Sequence, residues 1–309
     1  MDELGRHCTL RRWNGHRALT AAGLREALAD ADGLLCVLSD RLDEAALAAA
    51  PRLRFVASVS VGVDHIDLAA ATARGIPVGN TPGVLVEATA DTAFALLLAA
   101  ARRVAEGDAY VRSGRWGAGG AWSPDFFLGA DVAGTTLGII GLGAIGRALA
   151  RRAQGFGMRV LGWNRTPRAV PGVEAVSLAD LLTASDHVSI HLALTPDTRG
   201  LIDAARLALL PPHAVLVNTA RGGIVDEGAL SAALASGRLG AAGLDVFEHE
   251  PVSAASPLLR LRNVVLTPHV GSATPRTRRR MVDLAAANAL AALAGEPMPH
   301  CVNRGVYGA

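Results

Sequence analysis

Residues 136–146, with the sequence TLGIIGLGAIG, decide the fold class. An apolar, β-branched run ends there in a Gly-x-Gly-x-x-Gly turn, and the helical stretch RALARRAQ follows directly. In a strand–turn–helix unit of this kind the first glycine makes the tight turn, the second lets the backbone approach a pyrophosphate, and the third packs helix on strand. The helix N-terminus then faces the anion. The motif predicts a dinucleotide-binding turn formed by Gly141, Leu142, Gly143, Ala144, Ile145 and Gly146.

From this segment onward, short apolar runs alternate with Ala-rich helical stretches. The runs are TLGIIGLG, MRVLGWN, HVSIHLAL, AVLVNTA, AAGLDVF and NVVLTPH. Strands that alternate with helices predict a parallel sheet covered on both faces. Six strands are the number that a doubly wound dinucleotide-binding domain uses, so we predict an α/β fold of the Rossmann type.

The N-terminal third repeats the alternation on a smaller scale and predicts a second, smaller α/β unit. We expect helices over residues 20–31, 43–49 and 64–74, and strands at GLLCVLS, RFVASVS and PVGN. Two long Ala/Leu-rich segments, residues 86–112 and 275–293, flank the six-strand block and are predicted to carry the chain between the units. The smaller domain is then discontinuous, with residues 1–84 and 275–309, and residues 85–274 form the dinucleotide-binding domain.

The composition excludes several classes of function. A chain of 309 residues exceeds what one core usually covers, which agrees with two domains. A net charge of +2 and 4% aromatic residues provide neither a basic footprint nor stacking platforms for nucleic acid. All basic residues are Arg, so a Schiff-base lysine and the lysine of a P-loop are excluded.

The cysteines and the apolar runs indicate the compartment. Cys8, Cys36 and Cys301 are far apart and outside any CxxC spacing, so we expect neither disulfides nor a metal site. The longest apolar run, residues 93–101, is too short to span a bilayer, and the N-terminus lacks an apolar signal core. We therefore expect a soluble, cytoplasmic protein.

The second strand of the block ends in WNRTPR, where dinucleotide-binding folds often place an acidic residue that grips the adenosine ribose. Asn164, Arg165 and Thr166 stand there instead. A carboxylate repels a 2′-phosphate, whereas a neutral Asn beside a guanidinium accepts it. These residues favour NADP(H), with NAD(H) possible; the alternative is that Arg165 is a solvated loop residue.

Each of the last three strands is followed by an unusual polar residue, namely Arg221, Glu250 and His269. Ligands of open α/β sheets lie at the carboxyl ends of the strands, so these side chains are predicted to converge there. Arg binds a carboxylate bidentately, and His donates a proton to a carbonyl oxygen as hydride reaches the carbon. A Glu bonded to the imidazole fixes its orientation and favours its protonated form. The alternative for each residue alone is an ordinary loop position.

The remaining histidines and the basic run have simpler interpretations. His187 and His191 flank a predicted strand without an acidic partner, so we interpret them as structural. His65 is predicted at the start of a helix, in the cap region. The arginines of residues 276–280 predict a solvated helix face.

Blocks along nearly the whole chain resemble the D-isomer-specific 2-hydroxyacid dehydrogenase family, and most of all its glyoxylate and hydroxypyruvate reductases. The blocks are GLLCVLSD, SVGVDHID, GIPVGNTPGVLVEATAD, GIIGLGAIG, LVNTARGGIVDE, AAGLDVFEHEP and LTPHVGSAT. The resemblance implies a flavodoxin-like substrate domain, an NAD(P)H-dependent reduction of a small 2-oxoacid to the D-2-hydroxyacid, and a homodimer.

The resemblance also implies roles for single residues. It gives Arg221 as the carboxylate anchor, Glu250 as the partner of His269, and His269 as the general acid. Substrate-binding residues are then Leu38, Val61, Gly62, Trp122, Arg221 and His269, with Ser39 beside Leu38. Cofactor-binding residues beyond the glycine turn are Asn164, Arg165, Thr166, Thr219, Asp245 and Gly271. Trp122 corresponds to a Trp that the glyoxylate reductases offer to substrate across a dimer interface; an ordinary interface aromatic is the alternative.

The sequence departs from the family pattern at its N-terminus, and it leaves several alternative functions open. The family opens with a β-strand and a helix, whereas residues 1–4 resemble the end of that helix, so we expect either a late start or a small domain that lacks a strand. Rival activities within the family are 2-ketogluconate reductase, phosphoglycerate dehydrogenase and formate dehydrogenase. A rival from another class is a nucleotide-sensing corepressor of the same fold.

Overall fold

The computed structural model describes residues 3–15, 17–119 and 122–308, and the chain divides into two compact units. The smaller unit comprises Met1–Leu85 and Ala273–Ala309, and the larger comprises Val86–Ser272. Each unit has a parallel sheet of its own. No helix in the described part of the chain is both long and apolar enough to cross a membrane.

The smaller unit is built on a three-stranded parallel sheet in the order β1–β2–β3, and the three predicted strands are confirmed. The strands are β1 (Gly33–Cys36), β2 (Phe55–Ser58) and β3 (Val78–Gly79). The helices are α1 (Leu4–His7), α2 (Ala21–Leu28), α3 (Glu44–Ala48), α4 (Leu68–Ala73) and α11 (Pro275–Leu293), and a 3₁₀ turn covers Arg304–Tyr307. Val56 packs on one face of the sheet with Leu47, while Phe55 and Ala57 pack on the other with Ala289, as the period of two in a strand requires.

Capping side chains determine where α3 and α4 begin in this unit. Asp43 and Asp67 each accept a hydrogen bond from the backbone N–H three residues later, which gives one first-turn donor a partner. The helix predicted over residues 64–74 therefore begins only at Leu68, and the prediction of His65 in its cap region is wrong. His65 precedes the cap, and its imidazole contacts the Ser58 hydroxyl instead.

The larger unit contains a seven-stranded parallel sheet in the order β10–β9–β8–β7–β4–β5–β6. The strands are β4 (Thr136–Ile140), β5 (Arg159–Trp163), β6 (Glu174–Ala175), β7 (His187–Ile190), β8 (Val215–Asn218), β9 (Ala241–Leu244) and β10 (Val264–Leu266). The six predicted strands are all present. The seventh, β6, is an edge strand of two exposed residues, too short and too polar to give a sequence signal.

Helices cover both faces of this sheet, as predicted for a doubly wound fold. They are α5 (Val86–Ala101), α6 (Val104–Arg112), α7 (Ala144–Gly155), α8 (Leu178–Ala184), α9 (Ala204–Leu207) and α10 (Glu227–Ala235), with 3₁₀ turns at Gly222–Ile224 and Pro257–Arg260. α5 and α7 pack into one core cluster, and α8, α9 and α10 pack into another. Residues 86–112 are not one continuous segment, because Arg103 adopts a left-handed conformation (φ 55°) and separates α5 from α6.

Candidate active site

The glycine turn after β4 has the geometry that its sequence predicts. Gly141 has a φ of +104°, and a Cβ there would lie 2.5 Å from the carbonyl oxygen of His191. A Cβ at Gly146 would collide with the carbonyl of Gly141, so the start of α7 packs directly on the turn. Only glycine satisfies both positions, since one needs a positive φ and the other needs a close backbone approach.

Gly143 differs from its two neighbours in the motif. Among the described residues, no atom beyond its immediate neighbours lies within 4 Å of where its Cβ would stand. The space beside Gly143 is therefore open at the N-terminus of α7, where the backbone N–H groups and the helix dipole favour the binding of an anion. The turn therefore leaves room for a pyrophosphate at the place where the sequence predicts one.

A second feature that fits a dinucleotide is Thr219, which directly follows β8. Its side chain is 8% exposed, and its hydroxyl has no hydrogen-bond partner among the described residues. A buried hydroxyl without a partner is costly unless a ligand supplies one. The residues at this edge of the sheet thus fit a bound nicotinamide dinucleotide.

The residues after β5 are engaged within the protein. The Asn164 side chain accepts a hydrogen bond from the N–H of Leu142 at 3.1 Å and donates one to the carbonyl of Thr166 at 2.9 Å. Asn164 therefore ties the end of β5 to the glycine turn. The Arg165 guanidinium forms an ion pair with Asp197 at 2.8 Å, and both side chains are more than 70% exposed.

The Glu250 carboxylate and the His269 imidazole form a pair. Oε2 of Glu250 lies 2.7 Å from Nδ1 of His269, and Oε1 of Glu250 accepts a hydrogen bond from the N–H of Phe247 at 3.0 Å. Both side chains are roughly a quarter to a third exposed. The pairing of Nδ1 leaves Nε2 as the ring nitrogen that is available to a substrate.

The electrostatics of this pair favour an ionised carboxylate. Burial by itself raises the pKa of Glu250, but the hydrogen bond and charge of His269, the N–H of Phe247 and the charge of Arg221 outweigh it. The net result is a Glu250 pKa below its ordinary value. The ionised carboxylate at Nδ1 holds the ring in an orientation that leaves Nε2 free for proton transfer to a substrate.

The loop that carries His269 is held by Asp245, the first residue after β9. The Asp245 carboxylate, 1% exposed, accepts hydrogen bonds from the Thr267 hydroxyl and from the N–H groups of Val270 and Gly271, at 2.6–2.8 Å. The N–H of His269 donates to the Asp245 carbonyl at 2.9 Å. His269 itself has a φ of +53°, a conformation that costs a non-glycine residue about 1–3 kcal/mol and persists because its surroundings fix it.

Arg221 is placed beside this pair by the end of β8. The Asn218 side chain is buried; it donates to the Arg221 carbonyl at 2.9 Å and accepts from the N–H of Ala220 at 3.0 Å. The next residue, Gly222, has no room for a Cβ, which would collide with the backbone of Phe247. This close approach brings the Arg221 loop against the Glu250 loop, so the three predicted residues do converge.

The remaining predicted substrate residues are divided between the two units. Leu38 is half-buried in the turn after β1, and Val61 and Gly62 are half-buried in the loop after β2. Trp122 belongs to the larger unit and is 81% exposed.

His187 and His191 occupy structural positions at the two ends of β7. His187 is buried, and its Nε2 contacts the Asp131 carbonyl at 3.1 Å; His191 contacts the Ser189 hydroxyl at 2.9 Å. Burial lowers the pKa of His191 to about 4, so its ring is neutral near pH 7. In residues 3–15, 17–119 and 122–308, no cluster of three His, Cys, Asp or Glu side chains could hold a metal ion.

Three further residues build the site and were not predicted from the sequence: Asn218, Gly222 and Thr267. Their contacts are with backbone or with another site residue, and such contacts leave no periodic signal. Two signals were available in retrospect. Asn218 is a polar residue that ends a buried strand, and Gly222 directly follows the predicted anchor.

Comparison with known proteins agrees with this geometry. The family model "D-isomer specific 2-hydroxyacid dehydrogenase, NAD binding domain" matches residues 94–271, more than half of the chain. A protein of Korarchaeum cryptofilum named glyoxylate reductase is 48% identical over 310 residues, which cover 99% of this chain and 93% of that protein.

Two solved structures extend the similarity to the whole fold. The TT0316 protein of Thermus thermophilus is 49% identical with a TM-score of 0.87, covering 93% of this chain and 90% of that one. An NADPH-dependent glyoxylate/hydroxypyruvate reductase of Sinorhizobium meliloti, solved with NADP and malonate, is 38% identical with a TM-score of 0.83, covering 92% and 87%. Together with the convergence of Arg221, Glu250 and His269, these matches show that the chain belongs to the D-isomer-specific 2-hydroxyacid dehydrogenase family.

Proposed function

We propose that this enzyme reduces a small 2-oxoacid, glyoxylate or hydroxypyruvate, to the D-2-hydroxyacid with NADPH as the reductant. The observation that carries the proposal is the 2.7 Å Glu250–His269 pair next to Arg221 at the carboxyl edge of the larger sheet. Relatives that match nearly the full length of the chain are named glyoxylate reductase, which supports the choice of substrate class.

The three residues divide the binding and the proton chemistry between them. Arg221 binds the substrate carboxylate and so orients the neighbouring carbonyl group. When bound, the nicotinamide supplies a hydride to the carbonyl carbon. His269 donates its Nε2 proton to the carbonyl oxygen, which becomes the hydroxyl of the product. Glu250 stays ionised throughout and holds the ring by Nδ1.

The proposed cofactor-binding residues lie at the same carboxyl edge of the larger sheet. The glycine turn of residues 141–146 would hold the pyrophosphate, and Thr219, Asp245 and Gly271 would lie along the nicotinamide side. Asp245 acts mainly through the loop that it holds, since its carboxylate already accepts three hydrogen bonds.

We propose NADPH as the preferred reductant because Arg165 and Thr166 occupy the position where dinucleotide-binding folds often place a ribose-binding carboxylate. Neither side chain carries a negative charge that would repel a 2′-phosphate. The Arg165 guanidinium can exchange Asp197 for a 2′-phosphate, since an exposed ion pair contributes only about 0.2–1 kcal/mol. Asn164 supports the turn rather than the phosphate, given its contacts with Leu142 and Thr166.

The domain roles complete the proposal. Residues 85–274 form the NAD(P)-binding domain, and residues 1–84 with 275–309 form the substrate domain. Leu38 and the backbone of Val61 and Gly62 contribute substrate contacts from the substrate domain.

A homodimer is part of the proposal. Large apolar side chains are exposed along residues 104–128, namely Val104, Val111, Trp116, Trp122 and Leu128. The same segment borders a cavity of about 750 Å³ at the amino ends of β8, β9 and β10. Exposed apolar side chains concentrated in one segment are typical of a contact surface, and a second copy supplies a symmetric one. A solution mass equal to one chain contradicts this part.

The test is NADPH and NADH oxidation at 340 nm with glyoxylate, hydroxypyruvate, pyruvate and 2-ketogluconate. We expect turnover with NADPH and with the two- or three-carbon oxoacids. Turnover with 2-ketogluconate alone favours that rival activity. Folded protein that binds nucleotide but is silent with every pair contradicts the proposal and favours a binding protein.

A further inference from the structure

The loop of residues 60–63 follows β2, and its first three carbonyl groups are all occupied by donors of the same unit. The Ser60 carbonyl accepts from the N–H of Thr81 at 2.8 Å. The Val61 carbonyl accepts from the Asn80 amide at 2.9 Å, and the Gly62 carbonyl accepts from the Ser60 hydroxyl at 2.6 Å.

These bonds fix the direction of the amide groups. In a trans peptide the N–H points opposite to the C=O of the preceding residue. The hydrogen bond from Thr81 to the Ser60 carbonyl therefore fixes the direction of the Val61 N–H. The hydrogen bond from Asn80 to the Val61 carbonyl fixes the direction of the Gly62 N–H. Both N–H groups are turned away from the side on which the carbonyls are held. Successive N–H groups directed to one side form a concavity that receives an anion.

The Ser60 hydroxyl ends a buried chain of polar groups. Its oxygen lies 2.7 Å from the Ser58 hydroxyl, and the Ser58 hydroxyl lies 3.2 Å from Nε2 of His65. Ser58 is fully buried and Ser60 is 2% exposed. Each hydroxyl has one proton. Because Ser60 donates to Gly62, Ser58 must donate to Ser60, and His65 must donate from Nε2 to Ser58.

The hydrogen bonds are therefore all donated in the same direction, from His65 through Ser58 and Ser60 to the Gly62 carbonyl. Nearby, burial raises the pKa of the Cys36 thiol to about 12, so this neighbour of His65 is neutral near pH 7. Asn80 is anchored in turn, since its N–H donates to the His300 carbonyl and its carbonyl accepts from Asn288. Hydrogen bonds that are linked in a buried network support one another and hold the backbone in place.

We infer that Asn80 and Ser60 are positioning residues, which keep the Val61 and Gly62 N–H groups ready for the substrate carboxylate. Asn80 orients the peptide that carries the Gly62 N–H, and Ser60 holds the Gly62 carbonyl and so fixes the backbone of Gly62 from its other side. The inference rests on the proposed function, in which this backbone binds the carboxylate. Neither side chain needs to touch the substrate. Their effect is to keep two donors in place before substrate arrives, so that binding does not have to order the loop.

The first test is Ser60→Ala, compared with Ser185→Ala as a matched control. Ser185 is also fully buried, and its hydroxyl also donates to a backbone carbonyl at 2.6 Å, but in the larger unit. We expect Ser60→Ala to raise the KM for glyoxylate about tenfold and to change kcat less than about threefold, because a hydrogen bond to a charged group is disturbed. Ser60→Thr, which keeps the hydroxyl, should restore most of the KM.

Two binding measurements separate positioning from general loss of structure. The inhibition constant of oxamate, an unreactive carboxylate, should rise by the same factor as the KM, while the Kd for NADPH from fluorescence titration should stay within about twofold. Asn80→Asp removes the donor to Val61 with little change of shape, and it should show the same selective pattern.

The inference is overturned if KM and the oxamate constant stay within about twofold of wild type, or if kcat and the NADPH Kd worsen as much as KM does. It is also overturned if Ser185→Ala reproduces the pattern. A wild-type protein that turns over no 2-oxoacid contradicts the proposed function instead, and that result is distinct because it appears before any variant is made.

Discussion

Two ion pairs lie beyond the carboxyl ends of strands of the larger sheet, with almost the same separation. Glu250 and His269 are 2.7 Å apart, and Arg165 and Asp197 are 2.8 Å apart. The first pair is roughly three-quarters to two-thirds buried, and backbone donors and Asp245 support its loops. The second pair is more than 70% exposed on both sides.

The separation of two charged groups therefore does not measure what an ion pair contributes to stability or binding. Water and salt screen an exposed pair, whereas a partly buried pair with hydrogen-bond support keeps its geometry. The Glu250–His269 pair is therefore the more firmly held of the two, and the Arg165–Asp197 pair is the one that a ligand displaces under the proposed function.

Removal of His269 should have the largest effect. We expect His269→Ala to lower kcat by about 10²–10⁴, the range for a lost general acid. His213 is the matched control, since it also pairs with a carboxylate, Asp186, at 2.8 Å in the same unit. His213→Ala should leave kcat within about twofold, as expected for a residue without a role in the reaction. Steady-state kinetics with glyoxylate decides, and equal effects of the two variants would remove the assigned role.

Replacement of Glu250 by Gln should have the next largest effect. The Gln amide keeps the size of the side chain but loses the negative charge that faces Nδ1 of His269. We expect kcat to fall about 10²-fold, with the Kd for NADPH nearly unchanged. A variant with wild-type kcat would show that the buried pair is only structural.

Acid titration should reveal the buried pair in the stability of the protein. The folded-state pKa of Glu250 lies below its ordinary value of 4.5, so its contribution is present above that pH and is lost as pH falls through the folded-state pKa. Urea unfolding from about pH 6 to about pH 3 should therefore show a steeper loss of stability for wild type than for Glu250→Gln. Parallel curves would mean that the pairing does not favour the folded state.

Changes at the exposed pair should have the smallest effects. Arg165→Ala should weaken NADPH binding about tenfold and leave NADH within about twofold, because only NADPH carries the 2′-phosphate. Asp197→Asn frees the guanidinium and should tighten NADPH binding by no more than about threefold, an effect that high salt removes. Fluorescence titration measures both, and an equal loss for the two nucleotides upon Arg165→Ala would contradict the proposed preference.

The sequence predicted the two parallel sheets and the convergence of Arg221, Glu250 and His269 because these depend on periodicity and on topology. Strands in such a sheet end at one edge, so residues that follow β8, β9 and β10 must meet there. The glycine turn was likewise readable, since Gly141 and Gly146 satisfy local steric demands that leave few alternatives.

The sequence could not predict features that depend on a single backbone angle or on contacts distant in the chain. The break at Arg103 is one left-handed residue within an Ala-rich stretch. The role of His65 depends on a hydroxyl seven residues away, and the partner of Arg165 lies 32 residues along the chain. Such pairings depend on which residues the fold brings together, and they leave no local pattern in a single sequence.

The most direct test of the account follows the hydride itself. The enzyme is incubated with glyoxylate and NADPH that carries deuterium on C4 of the nicotinamide, prepared separately in each of its two configurations, and the glycolate is analysed by mass spectrometry. The proposed function predicts one deuterium on the hydroxyl-bearing carbon from one of the two preparations, and a rate of label transfer that falls by at least about 10²-fold in His269→Ala. Unlabelled glycolate from both preparations, or label transfer at the wild-type rate in His269→Ala, would contradict it.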